Sequence, residues 1–354
     1  MTVLVSARTF HLPPERSATA PPEARGLARD EVRLLVTGGA ESNRNELTHA
    51  VFRELPRQLR PGDLVVVNNS ATLAAAVDGV LDGAPVVVHF STRLEDGRWA
   101  IEVRLPQQRP YPGESLHADT VIGLPGGARA TLREPWLPPA RRLWIADIDV
   151  AVLGLLAAHG RPITYSYVPQ RWSADYYETV FGRIPGSAEM PSAARPFTQR
   201  LVLDLMTSGV GLAPITLHTG VSSPETGEPP SPERFAVPAA TARLVNEARA
   251  AGGRIIAVGT TVTRALESAA DPSGRVESAS GWTELVLGEH RPARVVDALI
   301  TGWHAPGASH LDLLVAVAGA DTVAAAYSSA LDNGYLWHEF GDSALLFGWT
   351  SRSR

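Results

Sequence analysis

The sequence predicts a mixed α/β main domain interrupted by a smaller β-barrel domain. Residues 64–67 (LVVV) form a short, wholly apolar run, the pattern of a strand covered on both faces. From residue 150 onward helical and strand patterns alternate, as in a sheet flanked by helices. Between about residues 73 and 148 the texture changes to short β-rich pieces at roughly 8–12-residue spacing, the mark of a small barrel or sandwich. The main domain is therefore expected to be discontinuous, made of residues 1–70 and 151–354, with 71–150 inserted.

A chain of 354 residues has room for about two domains. With 44% apolar and 19% charged residues it can build a sizeable core. It has no cysteine, which removes disulfides, thiolate nucleophiles and cysteine metal sites. All 32 basic residues are arginine, so Schiff-base chemistry and a P-loop lysine are excluded. The net charge is −5. Residues 101–200 carry eleven Arg against nine acids, and 201–354 ten Arg against sixteen. The mildly basic middle suits either a polyanion or ordinary surface. No apolar run approaches the roughly 18 residues of a membrane helix, and the expected location is the cytoplasm.

The elements follow in order. The first 30 residues, rich in Pro, Ala and Arg, read as an irregular arm. Residues 31–37 (EVRLLVT) alternate as a strand, and 48–59 (THAVFRELPRQL) have helical spacing broken at Pro56. The LVVV strand ends in Asn68-Asn69-Ser70, polar groups that suit either a ligand crevice or a turn. Strands are expected at 84–90, 99–105, 115–123, 128–133 and 142–148, with hairpin signals at Asp96-Gly97 and Gly126-Gly127. Helices are expected at 151–159, 173–181, 197–208, 238–251, 261–269, 310–319 and 322–332. Strands are expected at 213–217, 254–258 and 295–300.

No Rossmann fingerprint, Walker A sequence or nucleophile elbow is present, and His338-Glu339 lacks the second histidine of a zincin. No histidine pair has helical metal-ligand spacing. Three polar segments stand at strand ends: TLHTG (216–220), GTTVTRALE (259–267) and DALITGWHAP (297–306). Strand, glycine, two threonines and then a helix present free N–H groups that suit a carboxylate or phosphate; the alternative is a plain threonine N-cap. His218 and His304 fit either a site or a hydrogen-bonded core. Three such ends in one α/β half point to a shared crevice.

The chain resembles the S-adenosylmethionine:tRNA ribosyltransferase-isomerase family of queuosine biosynthesis. The resemblance rests on Arg33-Leu34-Leu35, Leu47-Thr48-His49, PGDLVVVNNS (61–70), Tyr177-Glu178-Thr179-Val180-Phe181 with Pro185-Gly186, and the TLHTG segment. It continues through RIIAVGTTVTRALES (254–268), DALITGWHAP, Ala326-Tyr327, Tyr335 and Phe340-Gly341-Asp342, in family order from about residue 30 to about residue 347. It implies an α/β domain interrupted by a barrel, and S-adenosylmethionine as co-substrate without a metal. The implied acceptor is a tRNA bearing a 7-aminomethyl-7-deazaguanine. The sulfonium acidifies the C5′ hydrogens; proton loss opens the ribose and expels adenine. The acceptor amine attacks C1′, and closure to an epoxycyclopentane expels methionine.

Under that resemblance Gly259, Thr260 and Thr261 are candidates for the methionine carboxylate. His218 and His304 are candidates for proton handling, with Glu267 and Asp297 as further catalytic candidates hydrogen-bonding the ribose or sulfonium region. Asn68, Asn69, Tyr177, Thr216, Arg264, Thr301 and Asp342 are candidate substrate contacts. The sequence also departs from the family. Its Thr-Arg and following Arg after the double Asn are replaced by a stretch without Arg, Ser70 to Ala76. Its Ala-Gly-Leu-His becomes Ala193-Ala194-Arg195-Pro196, with Arg195 a candidate replacement charge. Its paired histidines are replaced by Ser231-Pro232-Glu233. A relative acting on a small-molecule acceptor, or on none, and a non-catalytic nucleoside binder therefore remain as alternatives.

Overall fold

A computed structural model describes residues 9–38, 46–107, 109–222 and 230–348. Strands β1 (Arg33–Thr37), β2 (Leu47–Val51) and β3 (Leu64–Asn68) lead to the short β4 (Ser70–Thr72). Then come β5 (Ala76–Leu81), β6 (Ala84–Arg93), β7 (Trp99–Arg104), β8 (Val121–Gly123), β9 (Arg129–Pro135) and β10 (Leu143–Ile148). After α1 (Val152–His159) follow β11 (Ile184–Ser187), α2 (Gln199–Thr207), β12 (Gly211–His218), β13 (Glu233–Val237) and α3 (Ala239–Ala250). The chain continues with β14 (Ile255–Val258), α4 (Thr260–Ser268), β15 (Ala279–Thr283), β16 (Ala298–Gly302), α5 (His310–Ala318), α6 (Ala320–Asp332) and β17 (Ser343–Phe347).

The fold is mixed α/β. A nine-stranded sheet runs in the order β15-β13-β12-β3-β14-β16-β17-β1-β2, and β5 to β10 close into a six-stranded barrel. The middle strands β12, β3, β14 and β16 are parallel, so their C-terminal ends share one edge of the sheet. The apolar run of β3 is covered on both faces. Leu64 and Val66 pack with residues of α3 to α6, whereas Val65 and Val67 pack with Phe52, Leu55, Phe197 and Leu201 on the opposite face. The alternation of one strand thus divides the main core in two. The barrel has its own core, built from Val77, Val88, Ile101, Leu132 and Trp144 among others.

Two expected helices are absent. Residues 48–59 form β2, antiparallel to β1, and then a 3₁₀ turn Phe52–Arg57. Pairing with β1 overrides the helical spacing, and Pro56 cannot donate to an α-helical ladder. Residues 173–181 give only a 3₁₀ turn, Ala174–Tyr177, because Tyr177 is buried against Phe340 with ring centroids 5.2 Å apart. Strands β13, β15 and β17, which the sequence did not flag, extend or close the sheet; β13 and β15 pair antiparallel, and β17 runs antiparallel to β16 and parallel to β1. No single helix among the described residues is long and apolar enough to cross a membrane, and α5 and α6 are bent against each other by 117°.

Two carboxylates expected at the site serve the fold instead. Glu267, fully buried on α4, accepts from the backbone N–H groups of Arg294 (2.8 Å), Val295 (2.8 Å) and Val296 (3.2 Å). Asp297 accepts from the N–H of Ile255 at 2.8 Å, tying β14 to the segment that enters β16. We expect Glu267→Ala to lower unfolding free energy by about 3 kcal/mol, since it orphans buried amides, and Glu267→Gln to lose less. Urea denaturation measures both; an unchanged midpoint in the Ala variant would refute the role.

Candidate active site

The C-terminal ends of β12, β14 and β16 converge on a cavity of about 400 Å³. Thr219 and Gly220 line it from the first, Gly259, Thr260 and Thr261 from the second, and Thr301, Gly302, Trp303 and His304 from the third. Gly259 has φ 91° and ψ 160°, a conformation open to glycine only, and it turns β14 sharply into α4. It offers no side chain to cap the first turn of α4, whose N–H groups beside the cavity form a cradle for an anionic group.

Aromatic rings build the opposite wall. Tyr165 stacks on Tyr167 at 5.7 Å, and Tyr167 stacks on His338 at 3.9 Å. Each tyrosine donates to a carboxylate, Tyr165 to Glu189 and Tyr167 to Glu339, the latter at 2.6 Å. Glu189 also accepts from the N–H of Ser222 at 2.8 Å. Burial raises the carboxyls of both Glu189 and Glu339, Glu339 to about 7. Burial and the neighbouring carboxylates push both tyrosines well above their ordinary value. Two phenol–carboxyl pairs therefore stand along one wall, with Glu339 poised between its protonation states near neutrality.

The imidazoles are held neutral. His304 and His310 stack at 4.6 Å with a 7° interplanar angle. Burial, then the charges of His310 and His338, lowers His304 well below 6.5; burial lowers His310 and His338 to about 4. Nε2 of His304 lies 3.0 Å from the Thr301 hydroxyl, and its backbone N–H donates to the Tyr327 hydroxyl at 3.2 Å. Tyr177 also lines the cavity, and its buried hydroxyl has no hydrogen-bond partner among the described residues; the same is true of the Trp303 indole N–H. Both are buried donors on residues that line the cavity.

The structure thus brings Tyr177, Gly259, Thr260, Thr261, Arg264, Thr301 and His304 to one cavity. Arg264 is committed to the fold there: its guanidinium pairs with Glu233 and donates to the carbonyls of Leu285 (3.1 Å) and Thr283 (3.2 Å). The other candidates lie outside. The Asn68 carboxamide donates to the carbonyl of Leu217 (2.8 Å) and accepts from its N–H (3.0 Å). Asn69 accepts from the Thr216 hydroxyl at 2.7 Å. His218 faces away from the cavity, its Nδ1 2.8 Å from the Ser70 hydroxyl and its ring against Gly186, where a Cβ would come within 2.3 Å of it. Asp342 holds Arg33 at 2.7 Å and accepts from the Leu336 N–H at 2.8 Å. Arg195 supplies no charge to the cavity; it pairs with Glu23 at 2.8 Å and lies over the Phe340 ring.

Sequence reasoning missed Glu189, Glu339, Tyr165, Tyr167, His310 and His338. Only the adjacent His338-Glu339 carried a signal, and a metal motif was the wrong frame for it. Among the described residues no group of three or more His, Asp or Glu is placed to share a metal ion.

A family model described as queuosine biosynthesis protein matches residues 5–346. The S-adenosylmethionine:tRNA ribosyltransferase-isomerase of Acidiphilium cryptum is 34% identical over 353 residues, covering 95% of this chain and 97% of that one. The protein of that name from Desulfitobacterium hafniense is 32% identical, covering 95% and 98%. A crystal structure of the S-adenosylmethionine tRNA ribosyltransferase from Thermotoga maritima superposes with a TM-score of 0.53 at 29% identity, covering 96% of this chain and 99% of that one.

Glu339 gives a pH test. Unfolded, such a carboxyl titrates near 4.5, and here it is raised to about 7. The native state keeps a proton across that window which the unfolded chain has lost, so stability falls as pH rises through it. Glu339→Gln removes the penalty. Its stability relative to the parent should rise between pH 5 and pH 8 by up to about 2 kcal/mol in urea melts. A difference independent of pH would contradict this.

Proposed function

Because the chain belongs to the S-adenosylmethionine:tRNA ribosyltransferase-isomerase family of queuosine biosynthesis, we propose that its 400 Å³ cavity binds S-adenosylmethionine and performs the family reaction there. The acceptor is a tRNA carrying a 7-aminomethyl-7-deazaguanine. A tRNA acceptor places the reaction in the cytoplasm. The observation that carries this reading is the convergence on one cavity of three strand ends, an uncapped helix N-terminus and Tyr177, whose buried hydroxyl has no partner among the described residues.

The methionine carboxylate sits on the first-turn N–H groups of α4 after Gly259, where the helix dipole favours negative charge. The sulfonium faces the aromatic wall of Tyr165, Tyr167 and His338, with the carboxyls of Glu189 and Glu339 nearby to balance its charge. That cation favours ionised Glu339. Carboxylate and neutral imidazole are the forms that accept protons, and Glu339 and His304 are assigned to take one from C5′ or from the acceptor ammonium. Tyr177 and Trp303 supply donors to the departing adenine or the opened ribose. The two-part division, 1–70 with 151–354 and an inserted 71–150, belongs to the same reading.

Incubation with S-adenosylmethionine and the modified tRNA should release adenine and methionine and carry ribosyl label into the RNA. Adenine release that ignores tRNA, or none at all, would sink the proposal. Tyr177→Phe should weaken S-adenosylmethionine binding about fivefold by calorimetry, as the loss of one neutral hydrogen bond requires. His304→Ala should slow turnover about a hundredfold. Unchanged values in both would remove these assignments.

A further inference from the structure

A second groove, of about 550 Å³, shares the end of β12 with the first cavity. Thr216 and His218 line the groove, while Thr219 and Gly220 line the cavity. Its walls come from two parts of the fold. Arg93, Leu94 and Glu95 belong to the β6–β7 hairpin of the barrel; Arg234, Phe235, Ser280 and Gly281 belong to β13 and the sheet-edge strand β15. Arg93 and Arg234 are exposed, and neither has an ion-pair or side-chain hydrogen-bond partner among the described residues. The one acidic residue of the lining, Glu95, accepts from the indole N–H of Trp282 at 3.3 Å. Trp282 meets Trp136 of the barrel edge-to-face at 6.4 Å. In a protein of net charge −5, this groove presents two guanidinium groups that have no partner among the described residues, beside a pair of indoles.

A cavity of about 400 Å³ is the size of one small-molecule site and leaves no room for the polynucleotide that carries the acceptor base. The flanking phosphates must therefore run over the surface next to it. Guanidinium groups bind phosphate oxygens bidentately, and indoles stack unpaired bases. We propose that this groove seats the RNA backbone flanking the acceptor nucleotide, with Arg93 and Arg234 each engaging a phosphate. The inference rests on the reading that the acceptor is tRNA, and it adds where that tRNA lies.

The test measures tRNA binding across a salt series for the full-length protein, Arg93→Ala, Arg234→Ala, the double variant and Arg200→Ala. Arg200 lies on α2 with its side chain 90% exposed, outside the groove, and controls for bulk charge. Each groove substitution should weaken tRNA binding about tenfold and lower the slope of log affinity against log salt by about one. The KM for S-adenosylmethionine and turnover at saturating tRNA should stay unchanged. Equal affinity and slope in the double variant, or an equal loss in Arg200→Ala, would overturn the inference. Failure of the unmodified protein to transfer label while it binds tRNA would instead overturn the reaction assigned above, leaving the groove to be judged by affinity and slope. If it does not bind tRNA at all, both fall.

Discussion

One buried side chain carries the geometry of both cavities. β3 ends at Asn68, and its carboxamide pairs with both the N–H and the C=O of Leu217, adding a rung to the parallel ladder where the backbone of β3 has turned away. Its oxygen also accepts from the Ser70 N–H at 3.0 Å, which turns the chain into β4. With this rung in place β12 stays extended to His218, so Thr216 and His218 open onto one groove while Thr219 and Gly220 open onto the other cavity. Asn69 adds a hold on Thr216. Buried Asn68 and half-buried Asn69 thus fix where the strand ends.

Burial sets the protonation of the cavity. Carboxyls and imidazoles both lose water there, and both shift toward their neutral forms, upward for Glu189 and Glu339 and downward for His304, His310 and His338. A site of neutral groups and aromatic faces suits a substrate that brings its own positive charge. Arg264, the basic group in the lining, is neutralised by Glu233 and held by carbonyl oxygens.

The departures from the family pattern have structural counterparts. The stretch after Asn69 that lacks arginine forms β4 and the start of the barrel, where Ser70 binds Ser187 at 2.6 Å and the Thr72 hydroxyl donates to the carbonyl of Tyr177 at 2.8 Å. Arg195 knits the N-terminal arm to the Tyr176 segment through Glu23 and the Tyr176 carbonyl. Arg93 and Arg234 stand apart from these departures, in the groove where barrel and sheet edge meet.

Local pattern was enough for much of the architecture. The apolar run of β3 marked a strand covered on both faces; the strand–glycine–threonine–helix order of 254–268 marked the turn at Gly259; strand spacing between 73 and 148 marked the barrel. Each depends on residues close in the chain, where periodicity and turn chemistry act. The side chains that make the cavity, or hold the strands around it, do not. Tyr167 meets Glu339 across 172 positions, Asn68 meets Leu217 across 149, and Glu267 reaches amides 27 to 29 positions away. Whether an Asn, Asp or Glu binds substrate or a backbone amide depends on which strand packs beside it, and only the folded sheet decides that. Local pattern marked most of the elements and the strand ends that line the cavity; the tertiary structure decided which polar groups stayed unclaimed there, because hydrogen bonds within the fold took the rest.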